Sequence, residues 1–439
     1  MKKIIALCLA AMMMVTAFAS CGGSGDSGKT GDFDWSKFEK VVQESDFGTE
    51  SNVKLKVWGP DAYTKLLKKQ CDAFQQHYSS KISKIDVVVQ TEAEAGTQIL
   101  SDAEAGADVF GFANDQLNKL VNAGVIAQVA SKYAKAVQSE NLKSASDACT
   151  LANPKTKKAT LYAMPETGNG YFLVYDKSVV PDADAGKLET ILEDCKKAGK
   201  QFIMDAGNGY YSCMFLFTGG LRLEGLEADQ ATQKFNKYNE DEVVASMKAF
   251  SKLMHKYTGT FKSLAVSSIP SGFTSTKKTK STCGAGIDGN WDVAAIKKYL
   301  GKNFGAAKLP TININGKDKQ IFSMYGYKSI AVNGSSKFPR SAQILAYYLG
   351  SEGCQNQRCE ELGWSPTNKN SINTDAAQKD LAIKALLKQS EYSIAQVNIG
   401  AIWDPFANLG NKLVADGTNP DTFNFKDLLQ KTIANIRDQ

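Results

Sequence analysis

Four neighbouring side chains near residue 115 have the chemistry of a binding site for a neutral ligand. They follow a short apolar run, Val109 and Phe110, which predicts a buried strand that ends near residue 112. Residues that favour a turn and a helix start come directly after it. Open α/β sheets bind ligands at the carboxyl ends of their strands. One aromatic ring beside three polar side chains favours a hydroxyl-rich ligand, and the candidate contacts are Phe112, Asn114, Asp115 and Gln116.

A second predicted strand is also followed by a polar turn with aromatic side chains. The apolar run 202–204 predicts this strand, and the turn after it carries Asn208, Tyr210 and Tyr211. Adjacent residues on a helix point about 100° apart. We therefore expect one of the two tyrosines to meet a ligand and the other to enter the core.

Two tryptophans stand in contexts that favour exposure. Trp291 ends the glycine-containing stretch 286–291, where a strand end can turn sharply, and its indole offers a rigid apolar face suited to the C–H face of a pyranose. A core tryptophan is the alternative. Trp403 stands in a kinked stretch, after Gly400 and before Pro405.

The elements that position these residues alternate between strands and helices. Val53, Leu55 and Val57 alternate with lysines and predict a strand, an apolar helix face follows over residues 66–78, and a further strand is predicted over 85–89. Such alternation indicates an α/β fold with a parallel sheet. The helix predicted after residue 116 ends at a glycine stop, Gly124.

The length and the composition of the chain limit the classes of protein to consider. Its 439 residues, 43% of them hydrophobic, are too many for one compact core and predict two or three lobes. Lys and Arg number 52 against 46 Asp and Glu, and the formal net charge of +6 falls to +4 once Lys2 and Lys3 leave with a leader. This mild, scattered excess gives no argument for nucleic-acid binding.

The amino terminus has the pattern of an export signal. Residues 1–20 combine a basic start, an apolar run too short for a permanent membrane span and small residues before Cys21. The last of these resemble a lipobox, although Phe18 departs from it, so we expect Cys21 to be lipidated. Residues 21–50 would then form the lipid anchor, a Gly/Ser tether and a short leader helix. Ordinary cleavage after Ala19, which would release a soluble protein, is the alternative.

The cysteines beyond the leader form no recognisable framework. Seven remain after Cys8 and Cys21 are set aside, an odd number for an exported chain, and no CxxC pair indicates metal ligation. Most are expected to be small buried hydrophobic side chains, although Cys354 and Cys359 stand close enough to pair across a helix end. We expect neither a metal nor a cofactor.

The polar turn near residue 115, with its strand and helix, resembles the corresponding unit of the maltose-binding protein family. These are extracellular solute-binding proteins that feed ABC importers, and the likeness covers most of residues 52–439. It implies an α/β, two-lobe periplasmic-binding-protein fold of type II, with a ligand cleft between the lobes and hinge crossovers near residues 165, 325 and 365. The implied lobes are 51–166 plus 328–365 and 167–325 plus 366–439.

The same resemblance assigns sugar contacts along the chain. A crossover Glu of the family aligns with Asn169, while the nearby Glu166 could restore a carboxylate, and which of the two reaches the ligand stays open. Stacking aromatic residues align with positions 210, 291 and 403, and a first contact loop aligns with residues 58–63. The implied ligand-binding residues are Asp61, Phe112, Asn114, Asp115, Gln116, Glu166, Asn169, Asn208, Tyr210, Tyr211, Trp291 and Trp403.

These features predict a monomeric, lipid-anchored protein that captures a sugar or a maltodextrin-like oligosaccharide and delivers it unaltered to a membrane permease. Gln116 and Asn169 stand where the maltose pattern has Arg and Glu, which argues against maltose itself. The prediction requires Phe112 and Trp291 to face one shared gap.

Two alternatives keep parts of this pattern. A glycoside hydrolase would use two cleft carboxylates, such as Asp115 and Glu166. A binding protein for ferric iron would use adjacent tyrosines, as Tyr210 and Tyr211 are in this sequence.

Overall fold

The computed structural model describes residues 33–227, 232–275, 280–396 and 399–437, so the predicted signal peptide and Cys21 lie outside the described residues. The strands are β1 Val53–Gly59, β2 Ile82–Val89, β3 Val109–Ala113, β4 Thr150–Ala152, β5 Ala159–Leu161, β6 Ala163–Asp176, β7 Gln201–Met204, β8 Leu223–Leu226, β9 Gln233–Phe235, β10 Phe261–Ser263, β11 Cys283–Gly289, β12 Phe304–Ala307, β13 Thr311–Ile314, β14 Lys317–Gln320, β15 Ser323–Val332 and β16 Ser393–Ala395. The helices are α1 Trp35–Phe38, α2 Asp61–His77, α3 Glu92–Ser101, α4 Leu117–Asn122, α5 Ser131–Glu140, α6 Lys143–Ala148, α7 Leu188–Lys197, α8 Gly209–Ser212, α9 Met214–Phe217, α10 Glu240–Lys256, α11 Ser268–Gly272, α12 Val293–Leu300, α13 Pro339–Gly350, α14 Glu352–Leu362, α15 Asp375–Lys379, α16 Leu381–Ser390, α17 Trp403–Val414 and α18 Phe425–Arg437. Within these residues no helix combines the length and the apolar character needed to cross a bilayer.

A mixed sheet of ten strands forms the centre of the fold. Its order is β10-β7-β11-β6-β15-β3-β1-β2, with β12 beside β6 and β16 beside β15. β1 pairs in parallel with β2 and β3, as the alternation of strands and helices predicts, whereas β15 runs antiparallel to β3 and β6. The predicted α/β class is confirmed.

The strands β6 and β15 connect the two halves of this sheet. From Ala163 to Gly170, β6 pairs with β15, and from Tyr171 to Tyr175 it pairs with β11 instead. A register shift in β15 falls between Lys328 and the next residue, within the same stretch. The change of partner at residue 170 therefore marks the point where one half of the sheet gives way to the other.

Separate hydrophobic cores lie on the two sides of this point. The first core draws its side chains from residues 38–164 and 330–364, and the second core from residues 171–324 and 394–436. Alternate residues of β6 enter the second core and a third, smaller cluster on the opposite face, which explains why this strand is buried almost throughout. The fold thus has two lobes, and the boundaries that the sequence assigns to them stay a prediction.

The turn after β3 has the local structure that the sequence predicts. The helix α4 follows it, and Gly124, with a φ of 70°, lies two residues beyond the helix end. This left-handed conformation favours glycine, so the predicted stop is confirmed.

The leader segment packs on the first core. Trp35 stacks on His77, with ring centroids 3.7 Å apart, and lies parallel to the ring of Tyr348 at 5.3 Å. Phe38 and Phe47 are buried in the first core. The leader helix is therefore part of the folded domain.

The cysteines within the described residues are all free and buried. The suggested pairing of Cys354 with Cys359 is wrong. Cys354 enters the first core, whereas Cys359 packs in a separate small cluster with Ala377 and Ile383, so the two thiols point to different sides of α14.

Candidate functional site

Three aromatic side chains meet at the edge of the second core. The ring centroid of Tyr210 lies 6.2 Å from that of Trp291 and 6.1 Å from that of Trp403. Each ring packs on the second core and remains partly exposed. These residues, named the aromatic cluster below, present apolar faces to which a ligand could bind.

Two glycines make room for the aromatic cluster. A Cβ on Gly289, at the end of β11, would overlap the indole ring of Trp291. A Cβ on Gly209, at the start of α8, would overlap the carbonyl oxygen of Trp403 at the start of α17. The positions of both tryptophans therefore depend on glycine at a close approach of side chain or backbone.

Polar side chains from the other half of the sheet face the same place. Asn169 on β6 is 5% exposed and donates from Nδ2 to the hydroxyl oxygen of Tyr210 at 3.3 Å. Burial, followed by the proximity of Cys213 and Asp115, raises the pKa of Tyr210. Asp115 follows β3, in the first half of the sheet, and its charge contributes to this rise.

The place where the two halves of the sheet meet beside Tyr210 is named the junction. Three buried acceptor oxygens there receive no hydrogen bond: Oδ1 of Asp115, Oδ1 of Asn169 and Oε1 of Gln396. The backbone N–H of Gln396 donates to the carbonyl oxygen of Tyr325 at 2.8 Å. Its Oε1 lies 2.6 Å from the place of a Cβ on Gly326, which pairs with Asn169 in the sheet. Unpartnered buried acceptors are costly. These oxygens, named the acceptor group, are therefore suited to a ligand that donates hydrogen bonds.

Phe112 does not join the aromatic cluster. Its side chain is 0% exposed and lies in the first core, with its ring 5.9 Å from that of Phe110. β3 is an interior strand with covered faces, so its aromatic residues are used for packing. The expectation that Phe112 and Trp291 face one gap is wrong for Phe112, and the aromatic surface comes from the second core alone.

Two further residues of the same turn hold the backbone in place. Asn114 donates to the carbonyl oxygen of Gln396 and accepts from the backbone N–H of Tyr327 at 2.9 Å. Gln116 donates from Nε2 to the carbonyl oxygen of Glu92 at 2.8 Å. Their amide groups, predicted as ligand contacts, serve these internal hydrogen bonds, and Asp115 is the member of the turn that reaches the junction.

The adjacent tyrosines have different surroundings. Tyr211 is 2% exposed and lies in the second core, whereas Tyr210 lies in the aromatic cluster. Their rings are inclined at 79° with centroids 5.5 Å apart. The paired phenolates of an iron site are therefore not formed, and the described part of the chain holds no group of three or more His, Cys, Asp or Glu side chains that could bind a metal ion.

Two other predicted contacts lie outside this group. Asn208 is the N-cap of α8, where its side chain accepts from the backbone N–H of Tyr210 at 3.0 Å. It therefore positions the tyrosine. Asp61 is exposed in the first turn of α2, and in the described residues no hydrogen bond or ion pair joins it to the aromatic cluster or the acceptor group.

Glu166 belongs to a buried charged group in the first half of the molecule. Its side chain is 3% exposed, and Arg358 donates to its backbone carbonyl oxygen at 3.4 Å. Burial raises the pKa of Glu166 to about 7, although the charges of Arg358 and Lys328 lower it, and Glu92 raises it further. Glu166 therefore faces charged neighbours.

Sequence reasoning missed the polar side chains that β15 and the segment after β16 bring to the junction. The ammonium group of Lys328 lies 3.9 Å from the carboxylate of Glu92. Burial raises the pKa of Asp115, while the charge of Lys328 lowers it. Lys328 could have been found from the sequence, because a charged residue is unusual within an apolar crossover strand. No local sequence pattern indicates Gln396, because it comes from a distant part of the chain.

Comparison with known protein families identifies the family of this chain. A sequence profile of the family described as bacterial extracellular solute-binding protein matches residues 69–385, more than half of the chain. The chain belongs to this family. As an extracellular solute-binding protein it is exported, and the resemblance on which the sequence prediction rests is confirmed.

Individual relatives of this solute-binding protein have similar lengths. The galactooligosaccharide-binding protein of Bacillus subtilis (strain 168) is 26% identical over 377 residues, which span 83% of this chain and 85% of that protein. The maltodextrin binding protein MalE1 from L. casei BL23, solved without ligand, is 24% identical with a TM-score of 0.71, over 88% of this chain and 100% of that one. The Thermus thermophilus maltotriose binding protein bound with maltotriose is 19% identical with a TM-score of 0.70, over 88% and 99%. The two solved structures confirm the two-lobe fold, and all three names describe binding proteins rather than enzymes.

Proposed function

We propose that this solute-binding protein captures a sugar or an oligosaccharide where its two cores meet and delivers it unaltered to the permease of an ABC importer. One observation carries this proposal. The aromatic cluster of the second core stands opposite buried, unpartnered acceptors, of which Asp115 belongs to the first half of the sheet. The relatives whose names state a ligand bind oligosaccharides, which supports the same class of ligand here.

The chemistry of the two groups complements the two kinds of surface on a sugar. The aromatic cluster offers flat apolar faces to the C–H face of a pyranose. The acceptor group receives hydrogen bonds from ligand hydroxyl groups, and the paired strands β6 and β15 form the crossover about which the halves can close. Such binding needs no covalent step, so no catalytic residue is assigned.

A thermal-shift screen with purified protein tests this function. A ligand at about one hundred times its Kd stabilises the folded state by about 2.7 kcal/mol, so a matching oligosaccharide should raise the melting temperature by a few degrees. We expect a rise with one class of mono- or oligosaccharide, from a panel of maltodextrins and galactooligosaccharides, and recovery of the saccharide unchanged by chromatography. No shift with any saccharide would contradict the proposal, and steady release of shorter products would indicate a hydrolase.

We also propose that the mature protein is a monomer anchored to the outer face of the cell membrane through a lipid on Cys21. The proposal rests on the cysteine after small residues and on the Gly/Ser-rich stretch that follows it. Cys21→Ser should move the protein from the membrane fraction to the medium or periplasm, while a matched Ser20→Ala variant stays with the membrane. Equal membrane association of both variants would contradict lipidation.

A further inference from the structure

We propose that Asn290 is a positioning residue for ligand binding: it ties the turn that carries Trp291 to the crossover strand β6 and holds the indole in its binding position before the ligand arrives. This inference rests on the proposed function and adds a residue to it. Asn290 stands between Gly289, the last residue of β11, and Trp291. It is 4% exposed, although the next residue belongs to the aromatic cluster and is partly exposed.

Two hydrogen bonds join Asn290 to Gly170 of β6. The backbone N–H of Asn290 donates to the carbonyl oxygen of Gly170 at 3.4 Å, and the backbone N–H of Gly170 donates to Oδ1 of Asn290 at 3.3 Å. In an antiparallel ladder, two backbones exchange such a pair of bonds. The register of β11 with β6 has Gly289 opposite Tyr171, which places Asn290 opposite Gly170. The side-chain oxygen therefore takes the place of the backbone carbonyl of Asn290 in this pair.

This exchange of acceptors lets the chain turn sharply at the end of β11. The backbone N–H of Asp292 donates to the carbonyl oxygen of Gly289 at 3.3 Å, which closes a four-residue turn with Asn290 and Trp291 at its centre. Because the side chain of Asn290 supplies the acceptor, its backbone can follow the turn while the bond to β6 is kept. Trp291 thus lies on a turn whose preceding residue is fixed to the sheet.

Gly170 is a firm anchor for this turn. It is the residue at which β6 changes its partner from β15 to β11, and it pairs with Tyr325 on the β15 side. A Cβ on Gly170 would lie 2.8 Å from Cδ1 of Leu386, so the backbone here packs closely against α16. The crossover strand is therefore held on the side opposite to Asn290 as well.

Neighbouring residues of β6 support two rings of the aromatic cluster in this way. Asn169 donates to the hydroxyl oxygen of Tyr210 at 3.3 Å, and Gly170 holds Trp291 through Asn290. A ring that is fixed before binding loses less conformational freedom when the ligand arrives, which raises the affinity. Loss of the Asn290 side chain should therefore weaken ligand binding through Trp291.

A double-mutant cycle measured by titration calorimetry tests the inference, with the saccharide selected by the thermal-shift screen as the probe. Asn290→Ala should weaken its binding by about fivefold, because a turn that has lost a hydrogen bond must be ordered when the ligand binds. In a Trp291→Ala background the same change should alter the affinity by less than about twofold, because the ring on which Asn290 acts is gone. Asn290→Asp keeps an acceptor in the same place and should retain more affinity than the alanine variant. The matched control Asn122→Ala, at an exposed position of α4, should bind as the wild type does.

The accessibility of the indole in the absence of ligand gives a second measurement. Acrylamide quenching of tryptophan fluorescence, taken as the difference between each protein and its Trp291→Phe counterpart, reports on Trp291 alone. We expect this ring to be quenched more readily in Asn290→Ala than in the wild type, and equally in Asn122→Ala and the wild type. Melting temperatures show whether the comparison is made between folded proteins. If Asn290→Ala does not fold, Asn290→Ser, whose residue type is common in turns, takes its place in both measurements.

The outcomes separate this inference from the proposed function. An equal loss of affinity with and without Trp291, no loss in either background, or unchanged quenching in the Asn290 variant would overturn the inference while the sugar-binding function stands. If no saccharide binds, the proposed function fails, and the quenching measurement still decides whether Asn290 holds Trp291 in place.

Discussion

Replacing Trp291 with alanine should weaken saccharide binding by about thirtyfold or more. The indole packs beside Tyr210 at the edge of the second core and remains partly exposed, so a ligand can stack on its free face. Truncation of a central aromatic contact residue typically costs about 2 kcal/mol or more of binding free energy. Titration calorimetry with the saccharide selected by the thermal-shift screen measures this loss directly.

A matched control distinguishes loss of a contact from general damage. Tyr299 lies on α12, a few residues along the chain, and is exposed, so Tyr299→Ala should leave the affinity unchanged. Trp291→Phe should keep part of the stacking surface and lose less affinity than the alanine variant. Unchanged binding in Trp291→Ala, or an equal loss in Tyr299→Ala, would show that the aromatic cluster does not hold the ligand.

Replacing Glu166 with glutamine should remove a pH-dependent loss of stability of about 3 kcal/mol. Burial raises the pKa of this carboxyl from 4.5 to about 7 in the folded protein. Between these values the folded state keeps a proton that the unfolded state releases, so the wild-type protein loses stability as the pH rises from about 4.5 to about 7. Glutamine does not titrate and should not contribute to this decline.

The free energies of unfolding in urea at pH 5 and pH 8 measure the effect. Other buried carboxyl groups also titrate, so the quantity of interest is the difference between wild type and variant at each pH. We expect Glu166→Gln to gain about 2.5 kcal/mol relative to wild type on going from pH 5 to pH 8, whereas the exposed Glu360→Gln should show no such gain. The same pH dependence in all three proteins would mean that Glu166 is not the group that titrates.

Local patterns predicted the elements of this fold well, because each depends on neighbouring residues. The alternating Val53, Leu55 and Val57 form β1, and Gly124 follows the end of α4. The glycine-containing stretch 286–291 correctly predicted a partly exposed Trp291, because the space for its ring depends on the nearby Gly289. The tyrosine turn was predicted equally well, with Tyr210 at the surface of the second core and Tyr211 inside it.

The roles of side chains on buried strands and turns could not be predicted in the same way. Phe112 stands on a strand covered on both faces, where residue type and alternation do not separate a core ring from a ligand contact. The amide of Asn114 is occupied by Tyr327, 213 residues away, and local sequence carries no sign of that partner. The carbonyl oxygen of Gln396 accepts from Asn114 across 282 residues of the chain, a partner that local sequence does not show either.

The crystal structure of the mature protein with the saccharide selected by the thermal-shift screen tests the central claim most directly. We predict a sugar ring against the faces of Trp291 and Tyr210, with a ligand donor within hydrogen-bond distance of Oδ1 of Asp115 and the saccharide intact. A saccharide bound elsewhere on the protein, or electron density for a cleaved product at the junction of the two cores, would contradict it.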